Sequence, residues 1–340
     1  MANPGELLLM VIGRPNPSSA ARATSIGRWV SARLLAASAT LMLLGVAYFL
    51  LFGTPMAFLR GATLRLEASP EAYALELPVK PSDGPLERVR SIPSPPMDRA
   101  WWSPAAIVSP NALESYVFEY GAGNCAAKSR ALGWWLSMRD IPFRFVYLMK
   151  DPQVREGDAH TMVETTWSDG GPAITAILDP LAAGVPMVDG RPLTSERLIA
   201  GRGGLNVRYE PARPDLDAYS LRPAELFVAG DARERSFVAY SAGREVVRHL
   251  KFMEALGVVV PDSFPTRVAG MIASIGVGLF PKTYVPSEES GRISWDLRQD
   301  AWIAQATVWM GRASALLACV VAVQAVARVV RKRRLDARAP

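Results

Sequence analysis

The sequence predicts an α+β fold that is flanked by two transmembrane helices. Two long apolar segments lie near the ends of the 340-residue chain, and half of all residues are hydrophobic. Between these segments, one stretch with helical spacing of apolar residues is followed by three stretches that alternate as β-strands do. A helix followed by consecutive strands is typical of an α+β protein with an antiparallel sheet. Cys125, the only cysteine between the apolar segments, directly precedes the helical stretch.

The first apolar segment, residues 34–59, contains no charged residue. A helix rises about 1.5 Å per residue, so this segment is long enough to cross a hydrocarbon layer of about 30 Å. It is longer than the apolar core of a cleaved signal peptide, and it ends in Pro55, Met56 and Phe58 without a small-residue cleavage site. We therefore expect an uncleaved anchor.

The second apolar segment, residues 301–330, is interrupted by Arg312. We expect a second transmembrane helix here, in which Arg312 extends towards an interface or faces a membrane protein partner. Cys319 lies within this segment and is expected to be an inert, small apolar residue.

Basic residues flank both segments on the side nearer the chain ends. Positive residues stay on the cytoplasmic side of a membrane, so we expect residues 1–33 and 331–340 in the cytoplasm and the region of about 60–300 outside it. This predicts a protein of the inner (cytoplasmic) membrane with an extracytoplasmic domain. The net charge of +6 is explained by these flanks and does not predict nucleic-acid binding. The flanking residues are Arg14, Arg22, Arg28, Arg33, Arg328, Arg331, Lys332, Arg333 and Arg334.

The extracytoplasmic region begins with residues 60–100, which we interpret as a linker. The stretch Pro78–Pro96 within it is rich in proline and is expected to be extended rather than helical. A helix should follow, because Ser109 can cap it, Pro110 suits its first turn and Gly121 can end it. The main folded core is expected over residues 101–190.

That core contains a second helix and three strands. The helix is predicted over residues 126–139, where Leu132, Trp135 and Leu136 recur at helical spacing. The strands are predicted within IPFRFVYLM, AHTMVETTW and AITAILDPL. Residues 191–300 are expected to form a mostly helical extension. The apolar stretch Val268–Phe280 is too short to span a bilayer, so it is either a core helix or an interfacial or partner-facing helix.

Three polar residues form a candidate reactive site. Cysteine chemistry needs a thiolate, a base that generates it and a group that orients the base. Cys125 lies at the N-terminus of a predicted helix, where the helix dipole favours negative charge. His160, which opens the second strand, can take the thiol proton and return it to a leaving group. Asp179, at the end of the third strand, can hold the imidazole tautomer and support the imidazolium.

Three sequence blocks surround these residues. They are Gly123-Asn124-Cys125 at the helix start, RDIPFRFV at residues 139–146, and His160 and Glu164 followed by Leu178-Asp179-Pro180 on the next strand. Together they resemble the pattern of the transglutaminase-like superfamily, whose core has the papain-like cysteine protease fold. The resemblance covers roughly residues 100–190, under a third of the chain.

The resemblance implies that Cys125 is a nucleophile, His160 a general base and Asp179 an orienting acid. The chain departs from the family pattern at two positions. Asp140 stands where glycine is usual before Ile-Pro, and Met162 stands where tryptophan is common. We expect both departures to change the shape of a substrate cleft without removing a catalytic group.

Other residues near the site have less specific interpretations. Trp101 and Trp102 either wall the cleft or pack in the core, and we include them with Asn124 as candidate substrate-binding residues. Arg144 and Glu164 are expected to be structural partners within the fold. His249 is expected to be a solvated or locally bonded side chain. No metal or other cofactor is expected, because two histidines and one extracytoplasmic cysteine form no ligand cluster.

The resemblance implies a membrane-anchored thiol enzyme that forms a thioester at Cys125. The acyl donor would be a peptide, a glutamine side chain or an envelope-linked acyl group. Water as acceptor would make the protein a protease or amidase, and an amine or hydroxyl would make it an acyltransferase. The alternative is a non-catalytic scaffold subunit of an envelope assembly or export complex, for which Val268–Phe280 and Arg312 offer partner surfaces.

Overall fold

The structure is a computed structural model that describes residues 17–51, 55–75, 84–93, 110–151, 159–168, 171–201, 205–210, 235–259 and 264–336. The chain divides into two compact units. One unit, here called the helical unit, comprises Met1–Ala47 and Ala306–Pro340. The other, here called the core unit, comprises Tyr48–Gln305.

Two long apolar helices run through the helical unit. Helix α1 spans Pro17–Leu51, and the last helix of the chain, α10, spans Trp295–Asp336. The segments Trp29–Leu51 and Trp295–Arg331 within them are long and apolar enough to cross a membrane. The α+β class with two candidate membrane-spanning helices is therefore confirmed, and the helices indicate membrane association by length and composition.

Small and polar side chains line the contact between these two helices. The hydroxyl oxygens of Ser38 and Ser314 lie 2.8 Å apart. A Cβ atom added at Gly45 would collide with Thr307, so the backbones approach closely at this glycine. Small residues and interhelical hydrogen bonds are typical of helix pairs that pack within a membrane.

The first apolar helix ends earlier in the chain than the sequence predicts. Helix α1 ends at Leu51 rather than at Leu59, and a separate helix, α2, spans Pro55–Thr63. The physical reason is Pro55, because proline has no N–H for a helix interior but suits the first turn of a new helix.

A six-stranded sheet forms the centre of the core unit in the described residues, in the order β1-β9-β8-β2-β3-β4. Strand β1 pairs with β9 in parallel, and the other neighbours pair antiparallel. A second, three-stranded sheet has the order β6-β5-β7. The strands are β1 (Leu64–Ala68), β2 (Phe143–Asp151), β3 (Ala159–Trp167), β4 (Ile174–Leu178), β5 (Val185–Val188), β6 (Arg191–Pro192), β7 (Val207–Glu210), β8 (Arg235–Ala242) and β9 (Thr283–Pro286).

The remaining helices pack around these sheets. The predicted helices at residues 110–120 and 126–139 are confirmed as α4 and α5, and Gly121 adopts a φ of +66° just after α4. The three predicted strands are confirmed as β2, β3 and β4. Besides α1, α2 and α10, the described helices are α3 (Pro85–Arg90), α4 (Pro110–Tyr120), α5 (Cys125–Ser137), α6 (Ser195–Ala200), α7 (Gly243–Val259), α8 (Phe264–Val277) and α9 (Ser287–Ser290).

The predicted linker and extension contribute to the folded core, which corrects two expectations. Strand β1 lies in the predicted linker of residues 60–100, and β8 and β9 lie in the predicted extension of residues 191–300. Within the proline-rich stretch, Pro85 begins the short helix α3 because proline is favoured at the first helical position. The sheet therefore draws its strands from residue 64 to residue 286.

Strand β8 was expected to be helical because it lacks the polar alternation of a half-exposed strand. Phe237 and Ala239 pack in one apolar cluster, whereas Val238 and Tyr240 pack in another. A strand with both faces buried is apolar throughout, so its periodicity resembles that of a buried helix. The contacts of the sheet, rather than the local pattern, determine this strand.

The apolar stretch Val268–Phe280 combines the two alternatives that the sequence leaves open. Most of it belongs to helix α8, in which Ile275 is 6% exposed and packs inward. On the same helix, Ile272 is 54% exposed and Val277 is 64% exposed. The helix is therefore part of the core on one face and presents apolar side chains on the other.

A buried ion pair joins β2, β3 and the start of α6. Arg144 Nε donates to Glu164 Oε2 at 2.7 Å. Glu164 also accepts from the backbone N–H of Ser195 at 2.8 Å and from the Ser195 hydroxyl at 2.7 Å. A buried carboxylate needs such complete hydrogen bonding, so Arg144 and Glu164 are confirmed as structural partners.

Candidate active site

The candidate site begins at the turn between α4 and α5. Asn124 is the N-cap of α5, and its Oδ1 accepts a hydrogen bond from the Ala127 backbone N–H at 2.9 Å. Gly123 has a φ of +110°, a conformation that other residues rarely adopt. This turn places Cys125 in the first position of the helix. The role of Asn124 in substrate binding stays a prediction, and its observed role is to cap the helix.

Helix α5 lies against the end of strand β3 that β4 leaves uncovered. Strand β4 pairs with β3 only at Val163 and beyond, towards Trp167. Upstream of this point, the Ser129 hydroxyl donates to the Thr161 carbonyl at 2.8 Å. The Cys125 thiol donates to the Ala159 carbonyl at 3.6 Å. Cys125 and Ser129 are four residues apart and share one helix face, so they hold the helix against the strand on both sides of His160.

The imidazole of His160 lies beside the Asp179 carboxylate. His160 Nε2 and Asp179 Oδ2 are 2.9 Å apart, and the two residues are 4% and 0% exposed. Because Nε2 faces Asp179, Nδ1 is the ring nitrogen that can accept the Cys125 proton. The structure thus brings together the three residues that the sequence selects, and the expected hydrogen bond between His160 and Asp179 is present.

Three further donors surround the Asp179 carboxylate. Its Oδ1 accepts from the backbone N–H groups of Leu181 at 3.0 Å and Ala182 at 3.4 Å. Its Oδ2 accepts from the Tyr209 hydroxyl at 2.8 Å. The backbone of Asp179 is itself held by two hydrogen bonds with Gly184. The carboxylate is therefore fully hydrogen-bonded although it is buried.

Tyr209 is a residue that the sequence analysis missed. It lies on β7, within residues 191–300, which the sequence predicts to be a mostly helical extension. The only available signal was the alternation of Val207 and Tyr209 with charged residues, which is short. Its hydrogen bond to Asp179 connects the smaller sheet to the site.

The electrostatics of the site favour charge separation between the thiol and the imidazole. Burial raises the pKa of Cys125, but the hydrogen bond and charge of His160 outweigh this effect and lower the pKa below its ordinary value. Burial lowers the pKa of His160, but Asp179 and then Cys125 outweigh it and raise the pKa. Burial raises the pKa of Asp179, and the charge and hydrogen bond of His160 reverse this shift. The groups together favour a thiolate, an imidazolium and a carboxylate.

Such a group of three can perform acyl transfer. A thiolate at the start of a helix is a good nucleophile for a carbonyl carbon. An imidazolium beside it can protonate the leaving group and afterwards accept a proton from the acyl acceptor. The carboxylate keeps the ring oriented in both steps.

The other predicted residues are placed differently. Trp101 and Trp102 lie outside the described residues. His249 was expected to be a solvated or locally bonded side chain, but it is 5% exposed, and burial lowers its pKa to about 3. The correction follows from its place on α7, where its ring packs 4.8 Å from that of Phe280. Cys319 lies on α10 and is exposed.

Within the described ranges, no group of three or more His, Cys, Asp or Glu residues is arranged to hold a metal ion. Comparison of the chain with known protein families, with curated proteins and with solved structures finds no match. The resemblance to the transglutaminase-like superfamily therefore rests on the sequence motifs and stays a prediction.

The first prediction concerns the Cys125 thiol. Because its pKa is lowered, its alkylation by iodoacetamide should reach half its maximal rate at a pH below about 8.5, the value for an ordinary thiol. His160→Ala should move this midpoint upwards, since burial alone disfavours the thiolate. The measurement is the pH dependence of labelling of the Cys125 peptide by mass spectrometry.

His249→Ala is the matched control, because it removes the only other histidine, which is neutral at these pH values. It should leave the midpoint unchanged. A wild-type midpoint at or above 8.5 would contradict the charge-separated site.

The second prediction concerns Tyr209 as a positioning residue. The lowered pKa of Asp179 stabilises the fold above the unfolded pKa of about 3.9, and this stability is lost as the pH falls through the folded value. Tyr209→Phe removes one donor, so it should raise the Asp179 pKa and lower the free energy of unfolding by about 1–3 kcal/mol. The acid-induced loss of stability should be smaller than in the wild type and should be complete at a higher pH, because the unfolded pKa does not change. The measurement is the melting temperature in detergent from pH 7 to pH 3.

Tyr120→Phe provides the control, because Tyr120 is exposed whereas the Asp179 carboxylate is completely buried. If both variants show the same pH dependence as the wild type, the hydrogen bond from Tyr209 does not tune Asp179.

Proposed function

We propose that the protein is a membrane-anchored thiol enzyme that forms a thioester at Cys125, as the transglutaminase-like resemblance implies. The single observation that carries the proposal is the arrangement of Cys125 at a helix start, His160 at the uncovered end of β3, and Asp179 2.9 Å from the imidazole. Burying a thiol, an imidazole and a carboxylate costs free energy, because each group loses its contacts with water. Packing of the core alone therefore does not account for their burial side by side.

In the first step, the Cys125 thiolate attacks the carbonyl carbon of an amide or ester. The tetrahedral intermediate collapses when the His160 imidazolium donates its Nδ1 proton to the leaving amine or alcohol. The products are a thioester on Cys125 and a neutral imidazole. Asp179 stabilises the imidazolium before this transfer and holds the ring in place after it.

In the second step, the neutral His160 accepts a proton from the acyl acceptor. Water as acceptor releases an acid, and the protein then acts as a protease or amidase. An amine or hydroxyl forms a new amide or ester, and the protein then acts as an acyltransferase. The same residues serve both outcomes, so access of the acceptor to the thioester decides between them.

The two apolar helices support a location at the inner membrane, and the basic flanks support cytoplasmic termini. An extracytoplasmic site would favour peptides or envelope-linked acyl groups as donors. An unpaired cysteine is unusual in an oxidising compartment. An extracytoplasmic location of Cys125 therefore supports a chemical function for its thiol.

The third prediction separates the roles of the three residues. Cys125→Ala should abolish thioester formation, and His160→Ala should be nearly as severe. Asp179→Asn should lower the rate on the order of 10³–10⁴-fold and leave a measurable remainder, because the nucleophile and base persist. The measurement is a hydroxylamine-sensitive adduct on the Cys125 peptide after incubation with envelope extract, detected by mass spectrometry.

Cys319→Ala is the control for cysteine removal as such, and it should retain the adduct. Normal cellular function from a well-expressed Cys125→Ala variant would refute the enzyme proposal and favour the scaffold alternative.

The fourth prediction concerns orientation. Reporter fusions at Gly190 and at Pro340 should report opposite sides of the membrane, with Pro340 in the cytoplasm. The reason is the retention of basic flanks on the cytoplasmic side. A cytoplasmic signal from the Gly190 fusion would overturn the extracytoplasmic location of the site.

A further inference from the structure

A stripe of large apolar side chains runs along one side of helix α10 at intervals of seven residues. All of them are exposed, from 76% at Trp295 to 44% at Val330. Two turns of an α-helix take about 7.2 residues, so side chains seven residues apart lie on nearly the same face. The stripe consists of Trp295, Trp302, Trp309, Leu316, Val323 and Val330.

Smaller residues alternate with the large ones along this side of the helix. Each lies four residues after one large residue and three before the next, which gives the 3.5-residue average spacing of a coiled-coil repeat. The contact with α1 uses the opposite side of α10, at Thr307 and Ser314. We call the following residues the α10 seam: Trp302, Ala306, Trp309, Ala313, Leu316, Val320, Val323, Ala327 and Val330.

A membrane interface does not account for the three exposed tryptophans. Trp295 and Trp309 are 14 residues apart, which is about 21 Å along α10. Each polar layer of a bilayer is only about 5–8 Å thick, so a single layer does not cover the whole row. Tryptophan is enriched among the residues that dominate protein contacts, so the row indicates contact with protein.

The register of α10 against α1 fixes the level of the seam in the membrane. Seven residues separate Ser38 from Gly45, and seven separate their contacts Ser314 and Thr307, so the antiparallel helices advance in step. Five further residues along α1 lead from Ser38 to Arg33. Arg33 is therefore level with about residue 319 of α10.

This register places the valine-rich end of α10, Val320–Val330, beside the part of α1 that carries Arg22 and Arg28. Arginine side chains stay at or outside the edge of the hydrocarbon layer, because charge is costly within it. Lipid chains therefore do not cover these valines, although every residue from 320 to 330 is exposed. A continuous apolar surface outside the hydrocarbon layer indicates a protein contact.

A second copy of the chain fits the seam without any stagger. Both copies insert in the same direction, so their α10 helices run parallel and identical residues meet at the same level. Layers of large residues then alternate with layers of Ala306, Ala313 and Ala327, which let the backbones approach and leave room for the indole rings. No residue of the seam is charged. Arg312 lies beside the seam, with its guanidinium carbon 5.1 Å from the ring centroid of Trp309.

We propose that two copies of this chain dimerise in the membrane through a parallel coiled coil of their α10 helices along the α10 seam. The coiled coil is left-handed, because a seven-residue repeat drifts by about 20° per heptad on a straight helix and supercoiling removes this drift. The inference goes beyond the proposed function and does not depend on a thioester at Cys125.

Single introduced cysteines test the seam in native membranes. The background is Cys125→Ala with Cys319→Ala, so only the introduced thiol can form a disulfide. A disulfide needs Cα atoms within about 7 Å, so Ala313→Cys and Ala327→Cys on the seam should form a linked dimer on oxidation with copper phenanthroline. The measurement is the fraction of dimer on a non-reducing gel.

Ala318→Cys and Ala322→Cys are the matched controls, because both alanines are equally classed as exposed and lie on other faces of α10. Their dimer fraction should be roughly tenfold lower, since their Cα atoms are too far apart in the proposed pair. Equal linkage at all four positions would indicate random collision and overturn the proposal. No linkage at the seam would also overturn it, and protection of Ala327→Cys from a soluble maleimide would then assign the seam to another segment or protein.

A second measurement leaves the native cysteines in place. Val323→Lys should convert the protein from a dimer to a monomer in mild detergent, because the charge would be buried against its own copy. Ala322→Lys adds the same charge beside the seam and should remain a dimer. The mass is measured by light scattering, and unchanged alkylation of Cys125 shows that the core unit is intact. A monomeric wild type, or a Val323→Lys dimer, would overturn the proposal.

Discussion

The buried carboxylate of Asp179 is the constraint on which the arrangement of the site depends. Asp179 is completely buried, and an ionised carboxylate in that environment must be hydrogen-bonded on all sides. Its donors come from three places: His160 on β3, the backbone of the following turn, and Tyr209 on β7. Because these donors belong to different sheets, the larger and smaller sheets must meet at this carboxylate. The contact between the two sheets holds the His160 imidazole beside Asp179. The imidazole in turn lowers the pKa of the Cys125 thiol.

A second constraint is the early end of β4. Since β4 stops pairing at Val163, the start of β3 is available to a helix rather than to another strand. Helix α5 occupies this edge, where Ser129 donates to the Thr161 carbonyl and the Cys125 sulfur lies 3.6 Å from the Ala159 carbonyl. The cap at Asn124 and the positive φ of Gly123 then determine where the helix begins. The thiol is thus placed by strand length, helix capping and side-chain hydrogen bonds together.

The segments next to the two apolar helices contribute to the same unit as the site. Strand β1 follows α2, and β9 lies close in sequence to α10, and these two strands pair at one side of the sheet. The folded segments next to the two apolar helices are therefore part of the sheet that carries His160.

The sequence by itself determined the features that depend on local physics. The length of the apolar segments predicts the two long helices. The limits of α4 and α5 are predicted by Pro110, by Gly121 and by the residues around Cys125. The alternation of side chains predicts β2, β3 and β4. Motif spacing also selects Cys125, His160 and Asp179. Only the tertiary structure decided that β8 is a central strand, that Tyr209 binds Asp179 and that His249 is buried. These features join residues far apart in the chain, and periodicity within a short window carries no information about such contacts.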